Sequence, residues 1–468
     1  MSASEFCFLS ATELRALYLS GEVSPVEVTR ALLEHIEEHN PRINAYVTVT
    51  AELALEQAAE AEKVLADSAD SSPPLTGIPF SLKDLTATKG IRTTRGSLLY
   101  KDWVPDFDGP MVGSMREAGT VLLGKTNTPE FGWKGDSGNR VVGPTHNPWK
   151  IGRTAGGSSG GASAAVAAGM GPLAQGTDGA GSIRIPACFC GVFGLKPSFG
   201  RVPQYPASPV EMLSHAGPIT RTVRDAALML DAVARPDVVD KLSLPREEEF
   251  IAAVDGGIAG LRVAWTPDLG YAPVDPEVLQ IVQTAAEKFV ELSCEVEEAD
   301  PGLADPWDFV DPTWACAFAA IYRDNWDEVE DQLEPGLREV VLHGQEFSGA
   351  DLAAANIRRN EYYHGWREFM ESYDLVLMPT LPVAAFAAGD DQPGQVNGVP
   401  TTYLGWTAFT YPFNATGQPA ATLPCGFTSE GLPVGLQVVG KWRQDATVLR
   451  ACAAFEELQP WRDTLPPL

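Results

Sequence analysis

A chain of 468 residues with 44% hydrophobic and 21% charged residues has the composition of a folded globular protein. Its formal charge of −28 argues against a nucleic-acid partner, because phosphate binding needs Lys and Arg surfaces and gains from counterion release. No stretch approaches the ~20 apolar residues of a membrane span, and Met1 to Phe6 has no basic region before an apolar core. No membrane partner and a cytoplasmic location are expected.

In chain order, Ser10-Ala11-Thr12-Glu13 is a capping box, followed by Leu14, Leu17 and Tyr18 on one helical face. Ser24-Pro25-Val26-Glu27 repeats the device with Pro at the first helical position, then Val28, Leu32 and Ile36. An Ala- and Glu-rich helix is predicted over 51–66. After the turn Ser71-Ser72-Pro73-Pro74, short apolar runs (Gly77 to Leu82, Val121 to Gly124, Pro172 to Gly176) alternate with Gly-rich turns and helical stretches. That alternation predicts an α/β fold.

Between Ser158 and Met170 runs a helix of almost no side chains, Gly160 to Ala168, which can approach a sheet closely and is placed in the interior. Segments 232–260 and 295–300 are acid-rich and read as surface. Residues from about 300 to 370 are helical and carry Trp307, Trp314, Trp326 and Trp366. Strands return at Thr422 to Pro424 and Val434 to Val439, and a last helix, capped by Asp445, puts Val448, Leu449, Cys452 and Phe455 on one side. No repeat or long linker divides the chain, so a single domain over 1–468 is expected, with N-terminal helices in 1–70.

Seven cysteines, Cys188-Phe189-Cys190 among them, are scattered without disulfide or zinc spacing, and the six histidines are dispersed. No metal site and no cofactor is expected. The unusual chemistry is concentrated between Asn147 and Pro197. There Gly156-Gly157-Ser158-Ser159-Gly160-Gly161 is followed by Gly176-Thr177-Asp178-Gly179-Ala180-Gly181-Ser182-Ile183-Arg184. Glycines beside hydroxyls let backbone N–H groups converge on a small anion.

Three readings compete on the residues alone. A phosphate cradle lacks the Lys-Ser/Thr ending or spacing of either phosphate motif. A nucleophile elbow fits Gly156 to Gly160, with Ser158 as nucleophile, but His215, His343 and His364 sit in no recognisable setting for its partner. In the third, Lys83, at the end of the apolar run Gly77 to Leu82, is the base. Burial lowers a lysine pKa, and a neutral lysine beside a hydroxyl is a competent base. The bland alternative is a charged Lys83 paired with Asp84.

Together these segments resemble the amidase signature family. The resemblance extends to Lys125-Thr126-Asn127-Thr128-Pro129-Glu130-Phe131-Gly132-Trp133, Phe189 to Pro197, Asn414 to Ala420 and Gly431 to Gln437, and is weakest from about 235 to 400. It implies a single large domain with a central mixed β-sheet flanked by helices on both faces. Residues 75–235 would form the core bearing the chemistry, 300–400 a variable pocket region, and 400–468 the return to the sheet.

Carried over position by position, the resemblance implies a triad of Ser182 as nucleophile, Ser158 as middle serine after a cis peptide bond, and Lys83 as base. Ser159, the competitor for the middle role, is read as a turn hydroxyl. Backbone N–H groups of Gly179, Ala180, Gly181 and Ser182 would hold the oxyanion, with Asp178 and Arg184 bracing the turn. Ala180 stands where the family usually has the first of two glycines before the nucleophile, fits only without positive φ, and would narrow the acyl side of the pocket.

Phe131 and Trp133, with the later tryptophans, are read as pocket walls for a small neutral aryl or alkyl amide, with ester or carbamate cleavage by the same chemistry. Two alternatives stand beside this reading. One is a glutaminase subunit of a tRNA-dependent amidotransferase. The other is a Cys-nucleophile amidase using Cys188 or Cys190. A homodimer is compatible with either form of the enzyme.

Overall fold

A computed structural model describes residues 3–68 and 71–468. Met1 and Ser2 of the N-terminal stretch read above, and residues 69 and 70, lie outside the described residues.

Both predicted capping boxes form: Ser10 and Ser24 each accept from the backbone of Glu13 and Glu27, whose carboxylates reach back to the cap N–H. The helices they start, Ala11–Ser20 and Pro25–Ile43, bury Leu14 and Tyr18 and then Val28, Leu32 and Ile36. The Ala-rich helix runs Ala51–Ser68.

Eleven strands make one mixed sheet, as the α/β expectation requires. From one edge the order is Tyr46–Val49, Val121–Thr126, Pro79–Lys83, Leu173–Asp178, His215–Thr220 and Phe193–Lys196. It continues through Ala420–Phe427, Pro433–Gly440, Leu375–Pro379, Arg262–Trp265 and Glu295–Glu298. Pro79–Lys83 is parallel to both of its neighbours, and all five of its residues are buried. Continuous apolar runs of this kind are what a strand covered on both faces demands. Helices flank the sheet, and the small-residue helix Gly160–Ala167 is buried at every position.

The acid-rich 295–300 segment lies at the surface as read, and it contains the edge strand Glu295–Glu298, whose exposed glutamates suit an edge that must stay unpaired with other chains. One reading needs correction. The last helix, Asp445–Leu458, has Gln444 at its cap; Asp445 instead faces inward and accepts from Ser198 Oγ at 2.8 Å and Arg201 Nε at 3.2 Å.

Candidate active site

The carboxyl ends of the parallel strands Pro79–Lys83 and Leu173–Asp178 open side by side, the usual place for a site in such a sheet. Lys83, the last residue of its strand, is fully buried. Its Nζ is hydrogen-bonded to Ser158 Oγ at 2.6 Å and Thr177 Oγ1 at 2.9 Å, and its N–H donates to Gln175 Oε1 at 3.1 Å. Among the described residues no carboxylate pairs with it. Burial holds its pKa well below the ordinary lysine value, and the field of Asp178 only partly opposes this. Asp84, the predicted partner of a charged Lys83, accepts from Thr94 instead.

Ser158 follows a cis peptide bond from Gly157. Its carbonyl accepts from Ser137 Oγ at 3.2 Å, and Ser137 Oγ accepts from Gly160 N–H at 2.8 Å. Ser159 points the other way: its hydroxyl donates to Thr177 O and accepts from Thr177 N–H, both at 3.2 Å. It therefore sews the Gly-rich turn to the strand end.

The Ser182 turn is built around Asp178. Arg184 Nε and Nη2 donate to its two oxygens at 2.9 and 3.0 Å, and Asn414 Nδ2 donates at 2.8 Å, all buried. The guanidinium, as the largest favourable influence, holds the Asp178 carboxyl well below the usual carboxylate range against burial. Asp178 also takes the N–H of Gly181 at 2.7 Å and of Ile183 at 3.2 Å. Gly181 is thus not free to bind an oxyanion. Among the described residues, the N–H groups of Gly179, Ala180 and Ser182 have no protein acceptor.

Gly181 has φ 126°, and a Cβ there would lie 2.7 Å from Thr410 Cβ, so only glycine fits. Ala180 is not among the positive-φ residues, which is why its methyl group is accommodated. The N–H of Ser159 donates to Ser182 O at 3.1 Å and ties the two serine turns together. No hydrogen bond joins Ser182 Oγ to Ser158 Oγ; both serines face one cavity of about 100 Å³.

Phe131, Gly132, Gly179, Trp314 and Phe318 are among the walls of that cavity. Trp133 is not. Residues 130–132 turn sharply, with φ 52° at Phe131 and 77° at Gly132, which sends the two aromatic side chains in different directions. Trp133 is buried elsewhere, its Nε1 donating to Glu334 Oε2 at 2.7 Å. Ala180 and Gly181 also lie outside the cavity walls, so the Ala180 methyl narrows nothing there. Of the four later tryptophans only Trp314 reaches the cavity; Trp366 packs on Phe413 in the core, and Trp307 on Tyr403 and Tyr411.

Cys188 and Cys190 are buried outside the cavity, and burial pushes the Cys188 thiol up to about 12 and Cys190 well above its usual value. His215 is buried against Leu213 O at 2.8 Å, and among the described residues no histidine is hydrogen-bonded to Ser158 or Ser182. Sequence reasoning missed Thr177 and Asn414, although both stand in the motifs quoted above. It also missed Phe318 and Ile321, whose helical segment has no motif.

The chain matches the family model described as Amidase over residues 27–449. It belongs to the Amidase family. It is 43% identical to an acylamidase from Rhodococcus erythropolis across 100% of this chain and 98% of that one. It is 37% identical to a glutamyl-tRNA(Gln) amidotransferase subunit from Moorella thermoacetica, over 99% of each. A solved bacterial aryl acylamidase of the amidase signature family superposes with TM-score 0.91 and 32% identity, covering 97% of each chain. The protein is therefore an amide-hydrolysing enzyme with the amidase signature fold. Among its described residues no helix is long and apolar enough to cross a membrane.

Proposed function

We propose that this amidase cleaves small aryl or alkyl amides through an acyl-enzyme on Ser182. The observation that carries the reading is the unpaired, buried Lys83 Nζ at 2.6 Å from Ser158 Oγ, beside the cavity that Ser158 shares with Ser182. Neutral Lys83 takes the Ser158 proton as Ser158 takes that of Ser182, and Ser182 Oγ attacks the carbonyl carbon. The transfer requires Ser182 Oγ to close on Ser158 Oγ as substrate binds, a tightening common between free and loaded sites. Gly179 and Ser182, which line the cavity and whose N–H groups have no protein acceptor among the described residues, receive the oxyanion; Gly181 supports the turn instead, and Ala180 lies outside the cavity. The proton returns to the leaving amine, and water releases the acyl group by the reverse route.

Phe131, Trp314 and Phe318 around the serines suit an apolar group next to the scissile bond. The acylamidase relatives support an acyl amide with neutral reacting groups, and esters and carbamates share the acylation step. The amidotransferase reading draws on the 37% relative, but a free amino acid brings an ammonium group. Among the described residues no carboxylate lines this cavity or the larger one adjoining it.

Ranking anilides, primary amides, esters and carbamates by kcat/KM tests the proposal. Anilide hydrolysis lost on Ser182→Ala supports it. Hydrolysis undiminished in that variant overturns it.

A further inference from the structure

A second cavity, of about 330 Å³, adjoins the one at the serines and shares the walls Leu85, Phe131, Thr177, Ser208, Pro209 and Ile321 with it. The larger chamber is mostly apolar, and among the described residues that line the two cavities Arg95 is the single charged side chain. Arg95 is held by its backbone: its N–H donates to Asp84 O at 3.0 Å and its carbonyl accepts from Phe131 N–H at 2.8 Å. Both Arg95 and Phe131 have positive φ, 55° and 52°. A non-glycine residue keeps that conformation only where its surroundings impose it, and such residues gather at functional sites.

The guanidinium carbon stands 4.5 Å from the ring centre of Trp103, 5.0 Å from Tyr100 and 5.9 Å from Phe131. These rings fix its plane and leave its edge, where the N–H donors are, without a hydrogen-bond or ion-pair partner among the described residues. The neighbouring carboxylate lends Arg95 its field without a direct contact. Asp84 Oδ2 accepts from Thr94 N–H and Thr94 Oγ1, Oδ1 has no hydrogen-bond partner among the described residues, and neither oxygen is hydrogen-bonded or ion-paired to the guanidinium. A preorganised, half-buried guanidinium fork with free donors is the geometry that receives a carboxylate in a bidentate pair.

We infer that Arg95 is a specificity determinant that receives a carboxylate at the end of the substrate remote from the scissile amide. This rests on the acyl-enzyme reading for the position of the amide, and it extends that reading. The reacting end is neutral and the far end is acidic. A monoanionic amide fits the walls, where a zwitterion would leave its ammonium group unpaired.

The test compares matched pairs by kcat/KM at low ionic strength. On the acyl side, the monoanilides of succinic, glutaric and adipic acids are set against the anilides of butanoic, pentanoic and hexanoic acids. On the amine side, 4-acetamidobenzoate is set against 4-methylacetanilide. At least one acid is expected to exceed its neutral partner by about tenfold or more, chiefly through KM, and to lose that margin in Arg95→Met while Arg95→Lys keeps part of it. No preference for any acid in the wild type, or a preference that survives Arg95→Met, overturns the assignment. Calorimetric binding of the same pairs to Ser182→Ala measures the preference without turnover. A wild type that cleaves none of these compounds therefore counts against the acyl-enzyme reading, while the binding ratio still decides the role of Arg95.

Discussion

Lys83 Nζ lies 2.6 Å from Ser158 Oγ in a fully buried position, and its second contact is another hydroxyl, Thr177 Oγ1. Burial without a carboxylate partner favours the neutral amine. If that amine is the base, kcat/KM should rise with pH through one ionisation, well below the ordinary lysine range, and then level off. The same shift acts on stability. The folded pKa lies below the unfolded value of about 10.4, so between the two the unfolded chain holds a proton that the folded chain has released, and stability rises with pH across that window. Lys83→Met should lower kcat about 10²–10⁴-fold. It should also raise the thermal midpoint at pH 7, a gain that shrinks toward pH 10. A lower midpoint for Lys83→Met at pH 7 would show that the lysine is charged and paired.

Asp178 and Arg184 are expected to be the costliest ion pair to break. Arg184→Met leaves a buried carboxylate whose remaining hydrogen-bond partners are Asn414 and backbone N–H groups, with Lys196 acting on it only at a distance, a loss of about 3–5 kcal/mol. Because the folded Asp178 pKa is depressed, the pair's contribution is fully present above the unfolded value near 4 and is lost only as pH falls through the folded pKa. Chemical denaturation should therefore show the same deficit for Arg184→Met at pH 6 and pH 8. A deficit under about 1 kcal/mol would contradict a buried, fully engaged pair.

Gly132 is the close-approach residue of the site. A Cβ there would stand 3.1 Å from Ser158 Oγ and 3.0 Å from Leu85 Cδ1, at φ 77°. Gly132→Ala should displace the Ser158 hydroxyl and reduce kcat by about 10²-fold, the scale of an ångström misplacement. Steady-state kinetics with kcat unchanged would show that the Ser158 position does not control the chemistry.

The cysteines should be silent. Thiols as buried and as weakly acidic as Cys188 and Cys190 are poor nucleophiles, so iodoacetamide on the folded enzyme should leave anilide hydrolysis within about twofold of the untreated rate. Stoichiometric inactivation by that reagent would revive the Cys-nucleophile alternative.

Local signals in the chain carried far. The two capping boxes, the buried run ending at Lys83 and the side-chain-poor helix after Ser159 each follow from neighbouring residues alone. The strand His215–Thr220 escaped notice because Gly217 and Pro218 break its apolar pattern, and its register depends on a partner about 40 residues earlier. Asp445 looked like a cap because helix starts favour Asp, but Arg201 and Ser198, far away in sequence, claim it. Trp133 and Trp314 could not be told apart by type. Glu334 removes the first from the pocket, and close packing on Gly179 brings in the second. Arg95 stands in no motif, and its unpaired edge emerges only when Trp103, Tyr100 and Phe131 close around it.

The most direct test of the account is where a sulfonyl fluoride attaches to the folded enzyme. Intact-mass analysis with peptide mapping should find a single adduct on Ser182, absent from Ser182→Ala and suppressed in Lys83→Met. An adduct on Ser158, on a cysteine, or none on enzyme that hydrolyses anilides would contradict the assignment of Ser182 as nucleophile and Lys83 as its base.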